Sequence, residues 1–307
     1  MRARRLAIVA AGLLVGVLLA AGALPGAATA RKQRKFVIGR HNLVAPLVIP
    51  AHPRPGPVPH CRRPRLSCVR DTVKRLKQRE ARLGCDHRAV FATTYRVLTQ
   101  VMVRTLRANP SFFRWPRYLY FEDSLFADVY MANSRAWDRG RRVPPAWRVA
   151  FETAAGGEVN AAQDMLLGIN AHVQNDMPFV LAALGTRTRG GLSRKSDHDA
   201  ENAILADAYD EVVSEIKRRY DPLLDLTNSP LTPLDDAAGL ELVKGWREDV
   251  WTNANRLLAA RTPSEKASVV EDIERNAADQ AQLIAAPPQP GYRPQRDAYC
   301  AAHNPDA

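Results

Sequence analysis

Acidic residues are missing from the first 68 positions of this chain. Its 307 residues hold 44 Lys/Arg and 32 Asp/Glu, with three Arg in 1–30 and nine Lys/Arg in 31–68. The formal charge of +12 therefore belongs to the N-terminal quarter, and the remainder is balanced. A globular nucleic-acid binder carries its basic patch on folded elements, so no nucleic-acid partner is expected. Period-2 alternation is absent over any useful length, which excludes a sheet protein. No second apolar run approaches 18 residues, which excludes a polytopic membrane protein. There is no G-x-S-x-G, no HExxH, no phosphate-binding glycine loop and no internal repeat. With 46% hydrophobic residues the body is not a disordered chain.

What is present begins with an address. Met1 to Arg5 is basic, Leu6 to Leu24 is apolar, Pro25-Gly26 breaks the run, and Ala28-Thr29-Ala30 offers a cleavage site. These features predict a signal peptide over 1–30, cut after Ala30, and a secreted or extracytoplasmic protein. The competing reading is an uncleaved N-terminal membrane anchor, because the apolar run is long enough to span a bilayer. Residues 31–68 read as an extended, Pro-rich, basic arm.

The four cysteines, Cys61, Cys68, Cys85 and Cys300, lie in the exported portion and contain no C-x-x-C, which favours disulfides over a metal site. Residues 69–83 read as one helix, whose ends lie about 22 Å apart at 1.5 Å per residue. That is beyond disulfide reach and removes a 68–85 bond. Two connectivities remain, of which Cys61–Cys68 with Cys85–Cys300 is preferred.

From Val69 the spacing is helical. Val69, Val73, Leu76 and Leu83 form one stripe, ended by Gly84. Val90, Phe91, Thr94, Tyr95, Leu98, Val101, Met102 and Leu106 form the next, ended by Asn109-Pro110. Further helices are expected over 120–138, 144–155, 158–184, 197–220, 237–260 and 263–285, the last opened by Thr262-Pro263. The fold class is all-α: one bundle-like domain of about eight helices over 69–285, followed by a Pro-rich tail, 286–307, pinned by Cys300.

In such a bundle, function is sought where ionisable residues interrupt buried faces. His172 and Asp176 are i, i+4 neighbours on the face of Met165, Ile169 and Phe179. Gly168 leaves room beside the imidazole, and Pro178 frees the carbonyl of Gln174. The pair is either a buried hydrogen-bonded couple or two ligands of one ion. His198 sits in the first turn of its helix, where a neutral imidazole is favoured. Asp197 and Asp199 are explained there by capping and the helix dipole. Glu201 lies close to the Ile204/Leu205 face and Asn202 near His198. Arg194 and Lys195 precede the helix, as anion-binding groups or as solvated loop charges. Glu122 shares a face with Leu125, Phe126 and Val129, while Asp123 points away.

Several segments together resemble a bacterial family, domain of unknown function 5995. They are Cys61 to Cys68, Val143-Pro-Pro-Ala-Trp147-Arg, Leu166-Leu-Gly-Ile-Asn-Ala-His172, Asp176-Met-Pro178, Ser193-Arg-Lys-Ser-Asp-His198, Trp246-Arg-Glu248 and Arg296-Asp-Ala-Tyr-Cys300. The resemblance covers about 61–302 and implies export and a helical body, but no activity. At the position of Glu201 that family usually has an apolar residue, so the resemblance gives Glu201 no role. More loosely, His172-x-x-x-Asp176 resembles one metal-binding helix of the zinc phospholipase C and single-strand nuclease fold. Of the seven histidines, His41, His52 and His60 fall in the arm and His303 in the tail, which limits the analogy to one metal.

Two functions follow. The first is a non-enzymatic envelope protein whose arm, residues 31–60, contacts anionic lipid or wall polymer. The second is a metal-dependent hydrolase of a phosphoester or related envelope substrate. There, Glu122, His172, Asp176 and His198 would hold one divalent ion (zinc or manganese), with Arg194, Lys195 and Asn202 binding substrate.

Overall fold

The computed structural model describes residues 61, 63–222, 224, 236–286 and 291–306. The expected export signal and the arm over 31–60 lie outside them. Among the described residues ten α-helices run in order: α1 (Leu66–Leu83), α2 (Ala89–Ala108), α3 (Pro116–Asp138), α4 (Pro145–Gly156), α5 (Ala161–Asn170), α6 (Met177–Leu184), α7 (Lys195–Arg219), α8 (Asp236–Ala259), α9 (Pro263–Ala285) and α10 (Tyr292–His303). A π-turn, Ala171–Asp176, joins α5 to α6 without a break. Counted as one rod, 161–184 corresponds to the long helix expected over 158–184 and starts three residues later. The described residues contain no sheet, so the fold is all-α. None of their helices is long and apolar enough to cross a membrane.

Helix starts follow local chemistry. Asn160 opens α5 and Thr262 opens α9 through reciprocal capping boxes with Gln163 and Glu265. Pro116, Pro145 and Pro263 occupy first-turn positions, where the missing N–H costs nothing. Gly84, at φ 53°, ends α1 in a backbone region that β-carbons disfavour. Several starts differ from expectation: α1 begins at Leu66 and not 69, α3 at Pro116 and not 120, and α5 at Ala161 and not 158. α7 begins at Lys195, not 197, and Asp197 caps nothing in its own helix. Its two carboxylate oxygens accept the backbone N–H groups of Arg114 (2.9 Å) and Trp115 (2.7 Å) and so anchor the aromatic loop before α3.

α2 packs between α1 and α7, while the 161–184 rod is surrounded by α2, α3, α4, α8 and α9. The main core includes Leu76, Val90, Tyr130, Trp147, Leu167 and Ile216. Glu80 of α1 is buried in this packing and accepts from Thr93 (2.7 Å), Arg96 and Arg219, tying α1, α2 and α7 together. Removing Glu80 would leave the buried guanidinium groups of Arg96 and Arg219 with only their second carboxylates, Glu215 and Asp306.

The disulfides are Cys61–Cys68 and Cys85–Cys300, with Cα separations of 5.2 and 5.8 Å, which is the preferred pairing. Such bonds persist in oxidising compartments, consistent with an extracytoplasmic location. The tail holds a helix that the sequence does not announce. α10 buries only Arg296 and Cys300 and has no apolar stripe to betray it.

Candidate functional site

The central position is the π-turn. Pro178 cannot donate to the carbonyl of Gln174, and just before it the ladder changes pitch. The Met177 N–H bonds the carbonyl of His172, five residues back. π-turns inside α-helices concentrate at functional sites, and this one carries His172 and Asp176.

His172 Nδ1 lies 3.0 Å from Asp176 Oδ2. The same carboxylate accepts from Trp147 Nε1 (2.9 Å) and Asn175 Nδ2 (2.8 Å), with Asn133 Nδ2 at 3.5 Å. Trp147 and the two amides can only donate through these nitrogens, so Asp176 acts as the acceptor and His172 Nδ1 carries the proton. The imidazole stacks on Phe126, centroids 3.4 Å apart and planes 4° apart, with Phe91, Tyr95, Tyr130 and Trp147 around it. The space that Gly168 leaves is taken by Phe91: a β-carbon there would stand 2.3 Å from Phe91 Cγ. Burial lowers the pKa of His172, against the pull of Asp176. The ring is thus neutral, with a lone pair on Nε2.

That Nε2 has no hydrogen-bond partner among the described residues, and neither has Tyr95 Oη. Both side chains are buried, 3% and 5% exposed. Both line one cavity of about 170 Å³ between α2, α5, α7 and α8, whose other walls include Leu98, Met165, Ile169 and Leu205.

Glu122 and His198 belong to a different cluster. Glu122, His198 and Glu201 bring ligand-type atoms within 4.8 Å of one another, and no other such group of three occurs among the described residues. The sequence-derived set of Glu122, His172, Asp176 and His198 is therefore not gathered around one point. Helical spacing shows that each residue faces inward; it does not show which inward residues meet. In the Glu122/His198/Glu201 cluster the cation present is Arg247. It donates to Glu201 Oε2 (2.5 Å), to His198 Nδ1 (3.2 Å) and to the His198 carbonyl, while His198 Nε2 bonds the Arg247 carbonyl (2.9 Å). Both imidazole nitrogens are thus engaged, and a divalent ion would have to displace a guanidinium, so the donor set fits a metal poorly. Burial, with Arg247 beside the ring, pushes His198 down to about 2. Burial raises Glu122 well above its usual range, helped by the Glu201 charge, and raises Glu201 against the opposing pull of Arg247. Asp123, read as pointing away, is buried as well, because α3 is covered by both α1 and α6.

The three candidate substrate-binding residues are occupied internally. Arg194 donates to the carbonyls of Gly185 (2.9 Å) and Arg187 and lies 4.2 Å over the Tyr118 ring. Lys195 pairs with Asp199 and, at 2.7 Å, with Glu248. Asn202 Oδ1 accepts from Arg247 Nε at 2.8 Å.

Residues 69–287 match the family described as Family of unknown function (DUF5995). The chain belongs to that family. No curated protein and no solved structure matches it. Membership in DUF5995 agrees with the resemblance read from the motifs and brings no activity with it. Three participants in the site of this DUF5995 chain were not singled out in its sequence. Tyr95 sits in an apolar stripe and reads as core. Arg247 follows Trp246 within an ordinary buried stripe. In the sequence Glu201 reads only as lying near an apolar face. A charged residue that close to a buried stripe, opposite another on a neighbouring helix, was the available signal.

Proposed function

We propose that the helical body is a receptor for one small, mostly apolar molecule, taken into the cavity beside His172. The observation that carries this is a largely apolar cavity whose wall includes His172, a buried residue with an unpaired Nε2. Leaving a buried polar atom unpaired costs about 1–3 kcal/mol, which a ligand that supplies the partner recovers. Apolar cavities of about 150 Å³ admit benzene-sized molecules, and this one is slightly larger at about 170 Å³. Toluene is expected to bind and to raise the melting temperature, and Ala208→Phe, placing a ring into the cavity wall, to abolish the shift while the protein stays folded. If millimolar toluene leaves the melting temperature and the methyl NMR spectrum unchanged, there is no receptor site.

The arm gives this receptor a place. Nine cations without an acid over 31–68 suit anionic lipid or wall polymer, at about 1 kcal/mol for each cation at such a surface. Binding to phosphatidylglycerol vesicles is expected to weaken with salt and to vanish when residues 31–60 are deleted. Binding that survives the deletion would reduce the arm to a spacer. Metal-dependent hydrolysis by zinc or manganese has one supporting feature, the Glu122/His198/Glu201 group, and Arg247 stands against it.

A further inference from the structure

Resting on the receptor reading, we infer that the ligand is a neutral hydroxyl compound, a phenol or a short alcohol, whose O–H donates to His172 Nε2 and whose oxygen accepts from Tyr95 Oη. The chemistry of the two unpaired atoms selects this class.

His172 Nε2 is an acceptor and nothing else. Its partner nitrogen is held as a donor by Asp176, which is itself filled by Trp147 and Asn175. The imidazole cannot take the other tautomer without leaving the carboxylate facing a lone pair. A ligand that only accepts, such as a ketone, ester or ether, therefore leaves Nε2 as it is. Tyr95 Oη can donate, and its ring centre stands 4.9 Å from that of His172 on the same cavity wall. One donor and one acceptor on the same atom describes a hydroxyl.

Charge narrows the class further. Carboxylates and phosphates need a cation with donors to spare. Arg247, the charged residue on the cavity wall, is neutralised by Glu201 and also donates to Asn202, His198 and, at 3.7 Å, Met177 Sδ. An ammonium group would lose its hydration against Phe91, Phe126 and Leu98 with no carboxylate free to receive it. Volume sets the scale. At about 170 Å³ the cavity takes roughly six to ten non-hydrogen atoms, by comparison with benzene-sized cavities.

The test is calorimetric titration of the full chain with three compounds of one shape: p-cresol, 4-methylanisole and toluene. 1-Heptanol serves as a fourth arm, to separate phenols from aliphatic alcohols. p-Cresol or 1-heptanol is expected to bind about tenfold more tightly than toluene, the size of one to two hydrogen bonds. 4-Methylanisole should bind no better than toluene. Tyr95→Phe removes only an unpaired hydroxyl and so keeps the fold; it should lower the preference for p-cresol severalfold and leave toluene unchanged. In the 15N spectrum His172 should show a pyridine-type Nε2 that moves upfield when p-cresol binds. Equal affinity for p-cresol and toluene, or a protonated Nε2 in the free protein, overturns the hydroxyl assignment while the receptor stands. Failure of all four compounds to bind overturns the receptor itself.

Discussion

At the scale of single residues, burial sets the protonation of the acids near the cavity. Asp123 is pushed up to about 7 by burial, with Thr72 and Arg75 opposing and Glu201 adding to the rise. In the unfolded chain the same carboxyl ionises near 4. Between those values the folded protein keeps a proton that the unfolded chain releases. The stability this group contributes is therefore complete below about 4 and is lost as pH rises through about 7. Glu122 and Glu201, also raised, act in the same direction. Asp123→Asn is expected to flatten the fall in melting temperature between pH 5 and pH 8. Parallel profiles for the variant and the wild type would show that Asp123 is not protonated in the fold.

At the scale of elements, the approach of α5 to α2 depends on one missing side chain. A β-carbon on Gly168 would stand 2.3–2.6 Å from Phe91 Cγ, Cδ2 and Cβ, and the Phe91 ring is held against Tyr130, Trp147 and His172. Gly168→Ala is expected to cost about 2 kcal/mol through overpacking, read as a lowered urea midpoint with unchanged slope. An unchanged midpoint would mean that the two helices slide apart freely. The sequence made much of this level legible. Apolar residues at helical spacing, Asn109-Pro110 and Thr262-Pro263 marked elements that the structure contains, and His172 with Asp176 declared itself by i, i+4 spacing. The rest was hidden for physical reasons. α10 is held to the body by the Cys300–Cys85 bond and by Arg296, which donates to the Cys85 carbonyl, contacts that leave no pattern in a twelve-residue segment. Tyr95 belongs to the site because its hydroxyl lacks a partner, a property of three-dimensional surroundings. Glu122 and His198 share a cluster with Glu201, apart from His172, because of where α3 and α7 lie relative to Arg247 of α8, which helical periodicity does not encode.

At the scale of the whole molecule, the bond between Cys85 and Cys300 closes most of the helical body into one loop, spanning 215 positions. The chain-entropy account assigns such a closure about 5 kcal/mol. Replacing both cysteines by serine, or adding a reductant, is expected to lower the melting temperature and to speed amide exchange first in α10. The cavity lies between other helices, so toluene binding should survive reduction at low temperature. Loss of binding together with α10 would instead place the tail among the elements that hold the cavity shut.

The same bond makes the molecule indifferent to one kind of damage. A single backbone cut anywhere between Cys85 and Cys300 yields two peptides that stay covalently joined. A protease meeting this chain in an oxidising medium can nick it once without releasing a piece. The break would show on a gel only after a thiol is added.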